Sequence, residues 1–309
     1  MFDTNKSKGI LSLLLLFSIL SAIVLAVRQE TRKAEFTFER DRRKKDSIGI
    51  VEIYGPITSA QRSSGFGTPI GTDKILKTLK RYREEDKVKG VLIRLNSPGG
   101  TVGAVQEITR EIERIREAGK PVVATIKDVG ASGGYYIASV CDKIIVNPGS
   151  IIGSIGVIFM SSNMSGLLDT IGVEFETVKS GPYKDAGSFH RAFEEDEIEF
   201  LDRIITDTYQ QFVTTVSEGR ELKENNVKEL AQGQIYSGSQ ARELKLVDIL
   251  GDEVTARDTI KELAEVKDPH FIEPDQPRWY NLITMMDSQF SFINLGLNQI
   301  RGLSYLYIP

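Results

Sequence analysis

The sequence contains few of the residues that build disulfides or metal sites: one cysteine, Cys141, and two histidines, His190 and His270. A single thiol excludes an internal disulfide, and there is no Cys or His cluster for zinc. The 39 basic and 43 acidic side chains lack the basic excess typical of nucleic-acid-binding proteins. Neither GxGxxG nor GxxxxGK[ST] occurs. We therefore expect no metal, no cofactor and no nucleic-acid partner.

Charged residues are also missing from residues 10–27, an apolar stretch that follows Lys6 and Lys8. As a helix it would span about 27 Å, enough to cross the hydrocarbon core of a bilayer. A cleavable signal peptide is the alternative, because Val24 and Ala26 could form a cleavage site, but its apolar core is normally shorter. We expect an uncleaved transmembrane anchor.

Residues 28–47 are mostly charged and are predicted to form a solvated stalk. Its basic residues would keep the C-terminal side cytoplasmic by the positive-inside rule, but long domains translocate largely regardless of charge, so the orientation stays open. The predicted organisation is a short tail (1–9), the anchor (10–27), the stalk (28–47), a catalytic domain (48–275) and an aromatic C-terminal tail (276–309).

The globular part alternates predicted strands and helices. Strands are predicted at 91–96 and 121–128, with an amphipathic helix between them that ends near Gly119. This is a βαβ unit, which implies parallel strands. Further strands are predicted at 48–55, 143–148 and 173–180, with helices at about 73–85 and 194–218. The fold class is therefore α/β.

Two small-residue turns follow predicted strands and could carry chemistry. In residues 130–134, GASGG, the hydroxyl of Ser132 would project from the sheet edge, and the following amides could hold an oxyanion. In residues 96–100, NSPGG, two glycines after a proline could supply further amide donors. Each turn taken alone is equally typical of an ordinary strand–helix connection.

A serine nucleophile needs a base. His190 and His270 are the only imidazoles, and both are most simply surface residues. A lysine is the alternative, with Lys184 in a loop and Lys179 within a predicted strand. A lysine acts as a base only when neutral, which burial in an apolar site favours by lowering its pKa. The residues alone leave the choice of base open.

Five motifs together resemble a known family, the short form of bacterial signal peptide peptidase A (SppA), a membrane-anchored serine peptidase with a Ser/Lys dyad. The resemblance covers the anchor and about residues 48–255. The motifs are RLNSPGG (94–100), ASGGYYIAS (131–139), GSIIGSIGVI (149–158), SGPYKDAGS (180–188) and IYSGSQARELKLVDILG (235–251).

The resemblance implies a role for each of several residues. These are Ser132 as nucleophile, Lys184 as general base, Ser154 as the hydroxyl that positions the lysine amine, and the amides of Gly100 and Gly133 as the oxyanion hole, with Gly99 an alternative to Gly100. The implied fold is that of the Clp-protease and crotonase superfamily, with repeated ββα units. No cofactor and no ATP are implied.

The resemblance also implies partners and a location. The family forms dome-like homo-oligomers with sites between neighbouring protomers, degrades remnant signal peptides and other unstructured apolar peptides, and works outside the cytoplasm. We thus expect a bacterial membrane protein with one span, its anchor in the lipid bilayer and its catalytic domain on the periplasmic or extracellular side. The tail at 276–309 is expected to pack on a neighbouring protomer or to occupy the substrate groove.

Three residues depart from the family pattern, Gln234, Lys245 and Pro182, and none is expected to contact the site. Asp185 is expected to face away from Lys184, because neighbouring side chains in extended backbone point apart.

Two other functions stay open: a non-catalytic membrane scaffold of the same fold, and a crotonase-like acyl-CoA enzyme that uses similar oxyanion amides.

Overall fold

The computed structural model describes residues 45–59 and 71–274 and the backbone of Leu303–Leu306. The chain divides into two units, Met1–Asp46 and Ser47–Pro309, and every helix and strand given below belongs to the second. The predicted anchor at 10–27 lies outside the described residues, as does nearly all of the stalk. Among the residues that are described, no helix has the length and hydrophobicity that a membrane span requires.

The second unit alternates strands and helices along the chain. The strands are β1 (Ser47–Tyr54), β2 (Val88–Ser97), β3 (Gly99–Thr101), β4 (Val122–Ala131), β5 (Lys143–Val146), β6 (Ile151–Gly153), β7 (Ile158–Phe159), β8 (Ile235–Ser237), β9 (Ile249–Leu250), β10 (His270–Ile272) and β11 (Leu303–Leu306). The helices are α1 (Thr72–Glu84), α2 (Val102–Glu117), α3 (Gly133–Ser139), α4 (Ser165–Ile171), α5 (Glu195–Gly219), α6 (Glu224–Leu230), α7 (Gly238–Glu243) and α8 (Glu253–Leu263).

The main sheet has eight strands, with six in the order β10-β1-β2-β4-β5-β9. β6 pairs in parallel with the end of β4, and among the described strands of this sheet only β6 and β8 pair in antiparallel fashion. A second, antiparallel sheet has the order β3-β11-β7. The predicted α/β class with a mainly parallel sheet is therefore confirmed.

The central strands β1, β2, β4 and β5 are mostly buried on both faces, which explains their long apolar runs. Alternate residues of β2 point to opposite sides: Ile93 packs into a larger core with α1, α2 and α3, and Leu92 packs into a smaller core with α8. The only cysteine, Cys141, lies in the larger core, where burial raises the pKa of its thiol to about 12.

A buried arginine of β2 ties the covering helix α8 to the sheet. The guanidinium of Arg94 donates to Glu52 of β1 (3.1 Å), to Glu253 at the start of α8 (2.5 Å) and to Glu273 (2.8 Å). Because these carboxylates belong to β1, to α8 and to the residue that follows β10, the ion pairs connect α8 to this face of the sheet.

The strand predicted at 173–180 is wrong. Residues 173–179 have no regular structure, and all side chains from Val173 to Ser180 are exposed. The alternation of apolar and polar residues there is real, but a strand needs a sheet edge and a buried face. Within one chain this segment has neither.

One residue of α1 provides a test of the larger core. Leu79 is fully buried there, so Leu79→Ala should lower the free energy of unfolding by about 2–5 kcal/mol. Leu263, at the end of α8, is 39% exposed, and Leu263→Ala should cost about 1 kcal/mol or less. Urea unfolding followed by circular dichroism measures both. Equal losses would contradict the placement of Leu79.

Candidate active site

Two turns lie side by side because β2 and β4 are adjacent and parallel. Ser97, the last residue of β2, is the register partner of Gly130 near the end of β4. Parallel strands end at the same edge of a sheet, so the turn after β2 and the turn after β4 leave this edge together. Both sequence-predicted turns are therefore at one place in the fold.

The turn after β2 requires both of its glycines. Gly99 adopts a φ of 106°, a conformation that residues with a side chain rarely adopt. A Cβ on Gly100 would lie 1.8 Å from the carbonyl oxygen of Ile57, so only glycine fits there. The buried hydroxyl of Ser97 fixes the turn, since it donates to the Gly55 carbonyl (2.7 Å) and accepts from the Gly99 amide (3.1 Å).

The hydrogen bonds of this turn determine where the Gly100 amide points. The Gly99 carbonyl accepts from the Ile57 amide, and the Thr101 amide donates to the Ile57 carbonyl, both at 2.9 Å. In an extended strand, the N–H and C=O groups of successive residues point alternately to the two edges of the strand. The N–H and C=O of Gly100 therefore face away from Ile57, toward the edge of β3 that pairs with β11.

Ser132 lies at the junction of β4 and α3 in a strained conformation. Its φ is 51°, in the region of the Ramachandran map that residues with a Cβ seldom adopt, and it is almost fully buried. Its amide donates to the Gly153 carbonyl (2.7 Å), and Gly133 begins α3 directly after it. Strained serines at a strand–helix junction are typical of functional positions.

Ser154 lies beside Ser132 because the strands that precede them are paired. Ala131 and Gly153 are register partners in the parallel pair of β4 and β6, and each serine follows one of them. Ser154 also has a positive φ, 49°. Its amide donates to the Gln234 carbonyl (2.7 Å). The expectation that Gln234 does not contact the site is therefore wrong, although the contact is made by its backbone.

The other two departures from the family pattern have local explanations. Lys245 has a φ of 60°, a conformation that glycine adopts without strain and that a residue with a side chain seldom adopts. Pro182 is the first residue of a 3-10 turn, Pro182–Asp185, where a fixed φ and a missing N–H are tolerated.

Ser132 and Ser154 line the same cavity, which has a volume of about 560 Å³. Much of its wall is apolar, with contributions from Val157, Ile158 and Ile205. Among the residues that the structure describes, no charged side chain lines this cavity. Tyr209 also lines the cavity. Burial raises the pKa of its phenol, which stays protonated at neutral pH. The cavity thus suits apolar groups and holds no base.

Lys184 lies on the exposed 3-10 turn Pro182–Asp185 and does not line this cavity. The structure therefore brings Ser132 and Ser154 together at this cavity, while Lys184 is not among the residues of the same chain that line it. The neighbouring Asp185 is held by Lys179 (2.7 Å) and by Arg191 (2.7 and 3.0 Å). Its carboxylate is thus engaged by other cations, and Lys179 is itself occupied.

Neither histidine lies at the cavity. His190 stacks on Phe175 with ring centroids 5.1 Å apart, and its Nε2 lies 3.4 Å from the hydroxyl of Thr177. His270 belongs to β10, at one end of the main sheet and in register with Ser47. The two imidazoles that the sequence offered as bases are thus in other parts of the fold.

Sequence reasoning missed several residues that shape the site. Ile205 and Tyr209 of α5, together with Gln232 and Gly233, complete the cavity wall. They come from parts of the chain remote from Ser132, and no local motif marks them. The backbone of β11 pairs with β3, with Tyr305 opposite Gly100. The only sequence signal for this strand is its place in the aromatic tail.

Known proteins share this sequence over most of its length. The model described as Peptidase family S49 matches residues 114–267. A predicted protease of Synechocystis sp. is 42% identical over 268 residues, which cover 85% of this chain and 91% of that protein. The chain belongs to peptidase family S49.

Two further S49 comparisons agree. A predicted signal peptide peptidase SppA of Enterococcus faecium is 41% identical over 240 residues, 77% of this chain and 70% of that protein. The chloroplastic serine protease SPPA of Arabidopsis thaliana is 32% identical over 209 residues, 67% of this chain but only 31% of that protein. As an S49 member, the chain is a serine-type peptidase that acts on peptides.

Gly100 of β3, which has no space for a Cβ, provides a test of the site. In Gly100→Ala the new Cβ would displace the turn from Ile57, and a displacement of about 1 Å should lower kcat/KM for a fluorogenic peptide by about 100-fold. Gly103→Ala is the matched control, because no atom lies within 4 Å of a Cβ there. Wild-type kcat/KM for Gly100→Ala would show that this turn has no part in hydrolysis.

Proposed function

We propose that this S49 peptidase is an endopeptidase in which Ser132 is the nucleophile and Lys184 the general base. The neutral amine of Lys184 takes the proton of the Ser132 hydroxyl as Oγ attacks the scissile carbonyl carbon. The C–N bond then breaks, the leaving amine takes the proton from Lys184, and water hydrolyses the acyl-enzyme. The observation that carries this proposal is the strained Ser132 at the wall of the cavity.

The neighbouring groups would serve the same reaction. In this proposal, the amides of Gly100 and Gly133 donate to the oxyanion of the tetrahedral intermediate, and Ser154 positions the amine of Lys184. Support comes from the direction of the Gly100 N–H, away from Ile57, and from Gly133 at the N-terminus of α3 next to Ser132. Ser154 lines the same cavity as Ser132.

In our proposal Lys184 acts on Ser132 of a neighbouring copy, in a homo-oligomer with sites between protomers. No charged side chain of the described residues lines the cavity, so the base has to come from elsewhere. Lys184 is carried by a segment with many exposed apolar side chains, among them Met160, Leu167, Ile171, Phe175, Val178 and Phe189. Covering them with a second copy would also exclude water, which favours a neutral lysine.

The proposed substrates are unstructured apolar peptides, including remnant signal peptides, cleaved without ATP or a cofactor. The apolar wall around Val157 and Ile205 suits apolar side chains. By displacing the backbone of Leu303–Leu306, an extended peptide can pair with the edge of β3 that faces away from Ile57. The backbone of Leu303–Leu306 lies at this edge, where it pairs with both β3 and β7. The edge can therefore accept an extended strand, which supports binding of a peptide there.

The proposed setting is a bacterial cell membrane. Residues 10–27 would anchor the chain in the bilayer, residues 28–47 would form the stalk, and residues 48–275 would be the catalytic domain outside the cytoplasm. The uncharged stretch at 10–27 supports the anchor.

We also infer that the fold is that of the Clp-protease and crotonase superfamily, which the parallel sheet and the paired oxyanion turns favour.

Two single variants and their mixture test the dyad. Ser132→Ala and Lys184→Ala should each lower peptide hydrolysis by several orders of magnitude, because residues that act as a unit fail together. Lys228→Ala, on the exposed side of α6, is the control and should be unchanged. When the two inactive chains are unfolded together and co-refolded, mixed oligomers should regain activity, since some interfaces combine an intact Ser132 with an intact Lys184.

The outcomes separate the candidate functions. Full activity of Ser132→Ala would refute the nucleophile, and thioester binding without peptide cleavage would favour an acyl-CoA enzyme. A wild-type chain without hydrolytic activity would favour a scaffold. Inactive single variants whose mixture stays inactive would refute the sharing of sites between protomers.

Removal of residues 276–309 tests the tail. If the tail competes with substrate for the edge of β3, the truncated chain should have a lower KM for an apolar peptide and an unchanged oligomer mass. If the tail packs on a neighbouring protomer, the mass measured by light scattering should fall. No change in KM, kcat or mass would contradict both roles of the tail.

A further inference from the structure

The segment that carries Lys184 has little hydrophobic anchoring in its own chain. Between Ile155 and Glu197 no residue is fully buried, although Val157 packs against the larger core and Tyr183 stacks on Phe200 of α5 with ring centroids 5.5 Å apart. Its helix α4 has no buried residue, and β7 is only two residues long. Apolar contacts therefore hold the turn Pro182–Asp185 only at its surface, through the partly exposed ring of Tyr183. A polar interaction adds a second attachment for this turn.

A cluster of charged side chains ties this turn to the start of α5. The guanidinium of Arg191 donates to Asp185 through Nε (3.0 Å) and Nη2 (2.7 Å). It also donates to Glu197 through Nη1 (2.8 Å) and through Nη2. Lys179 donates to the same Asp185 carboxylate and to the Pro182 carbonyl (3.0 Å). One planar guanidinium thus bridges two carboxylates, each with two bonds.

Glu197 is the fixed end of this cluster. It is buried, it lies in the first turn of α5, and its carboxylate also accepts from the Glu194 amide (3.0 Å) as half of a capping box. The same helix contributes Ile205 and Tyr209 to the wall of the cavity. The cluster therefore connects the turn of Lys184 to a rigid element that borders the site of Ser132.

The cluster stays ionised in the neutral pH range. Hydrogen bonds from Arg191 lower the pKa of Glu197 to about 2. Those from Arg191 and then Lys179 hold the pKa of Asp185 well below its ordinary value. Because both carboxylates keep their charge at any pH suited to hydrolysis, the bridge through Arg191 is present throughout.

We propose that Arg191 is a positioning residue that holds the turn of Lys184 on the first turn of α5, so that the lysine amine is presented in one orientation. Arg191 acts through Asp185 and Glu197 and does not itself touch the substrate. The inference rests on the proposed role of Lys184 as the general base. It adds the reason why a segment with few buried side chains can present that base in a fixed orientation.

The test uses the full chain and a fluorogenic apolar peptide. Arg191→Gln should lower kcat by about 100-fold, the cost of misplacing a reacting group by about 1 Å, and should change KM by less than about threefold. Arg191→Lys should recover part of this loss, because an ammonium can bond these carboxylates but cannot hold both in the forked geometry. Arg203→Gln is the control, since Arg203 is exposed on the same helix and lies 4.0 Å from Glu199.

A second variant separates positioning from folding. Asp185→Asn leaves the pair of Arg191 and Glu197 intact and weakens the bonds that Asp185 accepts from Arg191 and Lys179. It should show the same selective loss of kcat, with the melting temperature and the oligomer mass unchanged. Wild-type kcat for Asp185→Asn or for a folded Arg191→Gln would overturn the inference, as would losses in kcat that track a loss of assembled protein.

The result also distinguishes this inference from the proposed function. If Lys184→Ala retains activity, the proposed base is wrong, whatever the effect of Arg191→Gln. If Lys184→Ala is inactive and Arg191→Gln cleaves the peptide at the wild-type rate, the result supports Lys184 as the base and contradicts the positioning role of Arg191.

Discussion

The parallel pairing of β2 with β4 is the constraint on which the site depends. The register that sets Ser97 opposite Gly130 places both turns at the same edge of the sheet. A register shift of one residue would turn each strand's side chains to the opposite face and would move the Gly100 amide away from Ser132. The apolar residues on both faces of these strands oppose such a shift, so the same burial that stabilises the sheet also holds the site together.

Much of the fold could be predicted from the sequence. The predicted strands at 48–55, 91–96 and 121–128 are confirmed, because their apolar runs are long and are bounded by turn residues. The long helix predicted at about 194–218 is also confirmed. The exposed Ile198 in that helix shows the limit of the method, since periodicity identifies an apolar residue but not the surface that covers it.

The candidate site could be predicted only in part. Motifs pointed to Ser132 and to the glycines of the turn after β2, because short sequences encode local turns. They could not indicate the positive φ of Ser132 and Ser154, or the wall that α5 contributes, because both result from packing between remote parts of the chain. The absence of Lys184 from the cavity wall could likewise not be predicted, because spacing along a chain does not define distance in space.

The burial of Cys141 has a practical consequence for studies of this peptidase. It is the only thiol in the sequence, and with its pKa raised by burial it offers almost no thiolate to a reagent in solution. A cysteine introduced at an exposed position, such as Val178, would therefore be the one group that takes a maleimide dye or a spin label. Label-to-label distances then test directly whether copies of the chain associate, without removing any native side chain from the core.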